Sequence, residues 1–205
     1  MRDLKRALSD VAFMREHLAR TSEFRGFGPL TLSVSGVLAF LVAATQNHWL
    51  KVPGAHVGQF IAEWYITAAV SLAVIATEAV SRSRQAHGTM ALALLQQAAR
   101  HFCPALVAGG LLTIALLRAA PNAAWMLPGL WQIIFSLGAF ATAPMLPRPM
   151  FAVGVWYLLC GLVCSQRGPL EPLSGWSMGI PFGVGQLMVA GILLGSRRAS
   201  FAVDP

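Results

Sequence analysis

Glu63 and Glu78 are the only acids inside any long apolar run of this sequence, and both lie in QFIAEWYITAAVSLAVIATEAV, residues Gln59 to Val80. An ionisable side chain near a bilayer centre costs about 2.5–3.5 kcal/mol on insertion scales, so its presence points to function by default. Depth qualifies that default. At ~1.5 Å per helical residue, Glu63 lies only about 6 Å along a helix from Gln59, and Glu78 is close to the other end, so neither is at the midplane. Arg82 follows Glu78 by one turn, the spacing of an interfacial i,i+4 ion pair. Glu63 has other company. Arg118 closes the third apolar run and Gln132 lies about two turns into the fourth, both at the depth expected for Glu63. If the second, third and fourth runs are neighbours, these three residues share one polar cluster. It would serve either as an ion pair and interfacial anchor or as a substrate or proton site. Gln132 and Gln186 each carry an amide able to hydrogen-bond across helices, as interhelical glue or as part of a polar cleft.

Other chemistry has less to stand on. No H-E-x-x-H or Walker loop occurs, so the chain is not expected to be an enzyme, and no cofactor is expected without paired mid-span histidines for haem. Cys160 and Cys164 share a helix face at i and i+4, with Cys103 apart from them; small apolar packing is their expected role. A soft-metal reading would recruit Cys164, Met126, Met178, His48 and His56, because thiolate, thioether and imidazole suit copper, but no two of them have a diagnostic spacing and no metal site is expected. His87 and His101, among arginines, read as headgroup contacts.

Composition decides the solvent of the elements that must hold these groups. The chain has 205 residues, 56% hydrophobic and 11% charged, with mean hydropathy +0.63. Average soluble domains carry roughly 25% charged residues, so this surface is built for lipid. The net charge of +7 is not the footprint of nucleic-acid binding, since the cations sit at the ends of apolar runs and form no basic face. Six runs bounded by Pro, Gly or charge read as membrane spans: Pro29 to Gln46, Gln59 to Val80, Cys103 to Leu117, Trp125 to Ala143, Pro149 to Ser165 and Trp176 to Gly195. The third is short for the ~20 residues a span needs, but MALALLQQAARHF before it is helix-compatible, so one longer helix bent at Pro104 is expected. Before the spans, apolar groups at 4, 7, 8, 11, 14 and 18 mark one helical face ringed by arginines. That pattern reads as an amphipathic helix on the membrane surface, or as a helix that binds a partner or dimerises. The start of the chain has no continuous apolar stretch of a cleavable signal. The expected domains are therefore an interfacial segment, 1–26, a six-helix transmembrane domain, 27–198, and a short tail, 199–205.

Cations fix the orientation. Lys and Arg accumulate on the cytoplasmic side. Of the 15 in the chain, only Lys51, Arg118 and Arg167 fall on the side opposite the termini, so both termini are expected in the cytoplasm. Trp49, Trp64, Trp125 and Trp176 fall at the opposite ends of the spans, as an aromatic belt would.

The fourth and sixth spans share an order, Trp125, Pro128, Gln132 and Trp176, Pro181, Gln186, read as either a parallel repeat or coincidence. Helices interrupted by Pro and Gly are where transporters expose backbone to substrate. MREHLARTSEF (Met14 to Phe24), LPGLWQ (Leu127 to Gln132) and MGIPFGVGQL (Met178 to Leu187) resemble signatures of an uncharacterised group of bacterial six-span inner-membrane proteins. The resemblance covers most of the chain and implies that topology and membrane, with no activity attached. The reading is thus an all-α membrane protein with six transmembrane helices and an N-terminal cytoplasmic amphipathic helix. Its expected role is a scaffold or accessory subunit whose Gly-rich helices pack together or on a partner. The rivals are a small transporter with a cleft between spans two, four and six, lined by Glu63, Gln132 and Gln186, and an intramembrane enzyme. Its expected partners are the lipid bilayer and either further copies of itself or another membrane protein.

Overall fold

Pro29 stands at the head of a 21-residue helix, α1 (Pro29–Trp49), where its missing N–H is one the helix would leave unpaired anyway. The computed structural model describes residues 28–49, 56–85, 89–167 and 173–201; the N-terminal amphipathic segment lies outside them. Five further helices follow among the described residues: α2 (Val57–Gln85), α3 (Thr89–Ala119), α4 (Leu127–Thr142), α5 (Met150–Ser165) and α6 (Trp176–Phe201). No strand occurs among these residues. Five stretches, those of α1, α2, α3, α4 with its flanking 3₁₀ turns, and α6, are long and apolar enough to cross a membrane. The shorter apolar helix is α5, whose 16 residues span about 24 Å at 1.5 Å per residue. The chain has the make-up of a helical integral membrane protein.

As expected, the third span is part of one long helix, 31 residues with Pro104 inside it. The fourth departs from expectation at both ends. Trp125 belongs to a 3₁₀ turn, Pro121–Met126, and a second such turn, Ala143–Met145, follows α4. Prolines at 121, 128 and 144 explain this, because each lacks the N–H that would continue an α-helical ladder from the turn before. The sixth departs differently: Pro181 lies inside an unbroken helix.

The helices form a ring in chain order, α1 through α6, closed by α1 against α6, with α4 also touching α6. Neighbours are antiparallel. Gly175 and Gly179 of the α6 end meet Ala43, while Gly183, further along, meets Gly36. The closest pairs are α1 with α6 and α4 with α5, and glycine permits both. A Cβ on Gly36 would lie 2.9 Å from the Gly183 carbonyl oxygen, and one on Gly161 would lie 2.8 Å from that of Gly129. Backbones approach this closely only where no side chain intervenes.

Two apolar clusters stack along the bundle. Phe60, Ile61, Trp64, Leu127 and Met178 fill one half, and Leu32, Met150, Val153, Tyr157 and Leu193 the other. Between them Phe135, Tyr157 and Phe182 form a ring-to-ring triad with centroids 4.6–5.2 Å apart. The outside is equally apolar. Leu30, Val34, Val37 and Leu41 make an exposed stripe on α1. The spans of α2 and α3 bury least of all, and their exposed Ile66, Val70, Val107 and Leu111 are a lipid-facing surface.

Candidate functional site

At one end of the ring, α1 and α2 assemble a polar cluster around Glu63. Gln46 Nε2 donates to Glu63 Oε2 at 2.8 Å, and Gln59 Nε2, one turn earlier on α2, donates to Oε1 at 3.1 Å. Buried Trp64 fixes the sense of this arrangement. Its indole N–H can only donate, and it lies 2.8 Å from Gln46 Oε1. The Gln46 carbonyl must therefore face Trp64, and its NH₂ must face Glu63. Both carboxylate oxygens are thus acceptors held by neutral amides, and among the described residues no cation pairs with them. Gln46 and Trp64 entered the sequence reading without this role; Trp64, expected in an aromatic belt, is instead buried.

The expected union of Glu63 with Arg118 and Gln132 does not form among the described residues. Arg118 is exposed at the end of α3, and no hydrogen bond or ion pair joins it to Glu63. What ties α2 to α3 and α4 is Thr113. Its hydroxyl accepts from Tyr65 at 2.9 Å and from the Trp131 indole at 2.8 Å, and donates to the Gly109 carbonyl at 2.8 Å. Tyr65 and Trp131 also meet edge to face at 5.5 Å. A single threonine in an apolar run carries no sequence signal for such a junction.

Gln132 is fully buried, and its amide is engaged. Nε2 donates to the Ser177 backbone carbonyl at 2.8 Å. Ser177 precedes Pro181 by four residues, so in a regular helix its carbonyl would accept the N–H that proline lacks. Gln132 from α4 supplies the missing donor, which is one way membrane helices tolerate internal proline. On the next helix Trp156 donates its indole N–H to the Pro181 carbonyl at 2.9 Å. Two helices therefore brace α6 at its proline, and this is why the expected interruption is absent. Met178, a candidate soft ligand, sits with its sulfur 4.0 Å from the same amide. Among the described residues no three His, Cys, Asp or Glu side chains converge on a point that could hold a metal ion.

Gln186 has a different setting from Gln132, against the parallel-repeat reading. It packs beside Gly36 of α1, and its Oε1 is buried with no hydrogen-bond partner. The Tyr157 hydroxyl, against Gly185, and Gln132 Oε1 are likewise buried without one. At the far end of α2 the expected pair forms: Arg82 Nε donates to Glu78 Oε1 at 2.7 Å. The same carboxylate packs on Gly28, where a Cβ would overlap it. This places a negative charge at the N-terminus of α1, the end that favours it. No protein-family model, curated protein or solved structure matches this chain, so its chemistry is read from its own residues.

Proposed function

We propose that the protein is a six-span inner-membrane scaffold or accessory subunit, with both termini in the cytoplasm, residues 1–26 lying along the inner surface, and a tail from 199. The observation that carries this reading is Gln132. A permease cleft between α2, α4 and α6 would present its amide to water, whereas here it is fully buried and spent on the Ser177 carbonyl. With Gln132 closed off from solvent, the surface open to a partner lies on the outside of the bundle. Gly191 and Gly195, one turn apart on α6, have nothing within 4 Å of an added Cβ, and such small-residue spacing lets another helix approach closely. The partner is a second copy or another membrane protein. The alternating ring supports six crossings, since α5 must cross for α4 and α6 each to be antiparallel to it. Arg82, Arg84, Arg100 and Arg148 fall at the end of the ring where α1 begins, in keeping with cytoplasmic termini.

The test is copurification of the full chain from native membranes. A stoichiometric partner or a homo-oligomer is expected, lost in Gly191→Leu while the unfolding midpoint is unchanged. Solute uptake in proteoliposomes that disappears in Glu63→Gln would overturn the scaffold reading, and a terminal reporter found on the periplasmic side would overturn the orientation.

A further inference from the structure

The two acids of α2 are compensated differently. Glu78 has Arg82 and the N-terminus of α1; Glu63 has two amides and no cation among the described residues. A carboxylate oxygen offers about two acceptor sites, so among the described residues one site on each Glu63 oxygen remains after Gln46 and Gln59 have donated. The clamp organises the group without neutralising it.

Its depth names the compensating ligand. The 29 residues of α2 span about 43 Å at 1.5 Å per residue, matching the ~40–45 Å of a bilayer with its headgroups. Glu63, six residues from Val57, lies about 9 Å from that end, just inside the ~30 Å hydrocarbon layer. Helical side chains tilt toward the helix N-terminus, which at this position is toward the headgroups, and the bond to Gln59 one turn back follows that tilt. Below Glu63 on the same face, at i+3, i+7 and i+11, run Ile66, Val70 and Val74, exposed by 63%, 47% and 48%. The face therefore presents an anion at the boundary between headgroups and acyl chains and an apolar track continuing into the acyl region.

We propose that this face binds a phospholipid with a primary ammonium headgroup, the ethanolamine class. The ammonium bridges the two free acceptor sites of Glu63, and an acyl chain lies along Ile66, Val70 and Val74. A choline headgroup has no N–H to donate and a glycerol headgroup brings a net negative charge, so both are disfavoured. The site depends on the chain being in a membrane and on neither the scaffold nor the permease reading.

The test uses full-length protein reconstituted in vesicles of equal phosphatidylethanolamine, phosphatidylcholine and phosphatidylglycerol, extracted in mild detergent, with retained lipid counted by native mass spectrometry. Enrichment of the ethanolamine lipid by about tenfold is expected, the size of one charge-assisted hydrogen-bond contact, falling to the vesicle ratio in Glu63→Gln. Equal retention of choline and ethanolamine lipids by the unaltered protein, or undiminished enrichment in a folded Glu63→Gln, would overturn the proposal. Should that variant not fold, stepwise N-methylation of the headgroup on the unaltered protein decides the matter, since each methyl removes a donor and the enrichment must fall with it. Recovery of a basic partner protein lost on Glu63→Gln, without lipid enrichment, would also refute it.

Discussion

If Gln132 repairs the break that Pro181 makes in α6, the two positions must be energetically coupled although 49 residues separate them in sequence. Gln132→Leu removes the donor and leaves the part-buried Ser177 carbonyl without it, a loss of at most roughly 1–3 kcal/mol by soluble-protein measure, though membrane hydrogen bonds average only about 0.6 and reach about 1.7 kcal/mol. The same substitution also removes Gln132 Oε1, which is itself buried without a partner, and that gain offsets much of the loss. The single variant is therefore expected to lose no more than about 1 kcal/mol. Its size alone decides nothing. The informative quantity is the double-mutant cycle with Pro181→Ala. Alanine restores an N–H at position 181 that meets the Ser177 carbonyl, so in that background Gln132→Leu orphans nothing and should be neutral or stabilising. A coupling of about 1 kcal/mol is expected, well above the 0.3–0.5 kcal/mol within which independent sites add. Unfolding in mixed micelles, followed by helical circular dichroism, measures all four corners. Additivity within that margin would refute the repair, and with it the reason given for the burial of Gln132.

Two further outcomes follow from the packing. Thr113→Val keeps the shape of the residue but strips the acceptor shared by Tyr65 and Trp131 and is expected to cost about 1–2 kcal/mol; Thr113→Ser should retain most of that, and the two unfolding midpoints check it. Gly161→Ala drives a methyl into the Gly129 carbonyl and should cost about 1–3 kcal/mol by overpacking, whereas Gly195→Ala enters open space and is expected to gain about 0.5–1 kcal/mol from helix propensity; equal effects from the two would contradict the close approach of α4 and α5.

Much of the frame was legible because its cause is local. Apolar runs bounded by Pro, Gly and Arg mark helices, and the i,i+4 spacing of Glu78 and Arg82 guarantees that they share a face. The long third helix was readable from the helix-compatible stretch before Cys103. What escaped depends on which helix lies beside which. Pro181 shows from sequence alone that the carbonyl of residue 177 loses its helical donor, yet nothing local says that the replacement comes from position 132. The amide order of Gln46 depends on Trp64, 18 residues away on the next helix, and the Thr113 junction on residues of two other helices. Depth arguments grouped Glu63 with Arg118 and Gln132 because all three sit near one interface, but equal depth leaves the angle around the ring undetermined.

That distinction separates the polar groups of this bundle by what demands them. In lipid every backbone group must be satisfied from within the protein, so a mid-span glutamine in a chain with internal prolines is spent first on the backbone, as Gln132 is. Thr113 and Trp156 follow the same logic, each matching a donor with an acceptor that the fold itself creates. Glu63 does not. An amide or hydroxyl could close the contacts that Gln46 and Gln59 make to it, and no described cation requires its charge. A charge retained at the edge of the hydrocarbon layer costs free energy, and the contacts among the described residues do not offset it. That is why Glu63, not the buried glutamines, is the residue to alter first in any assay of function.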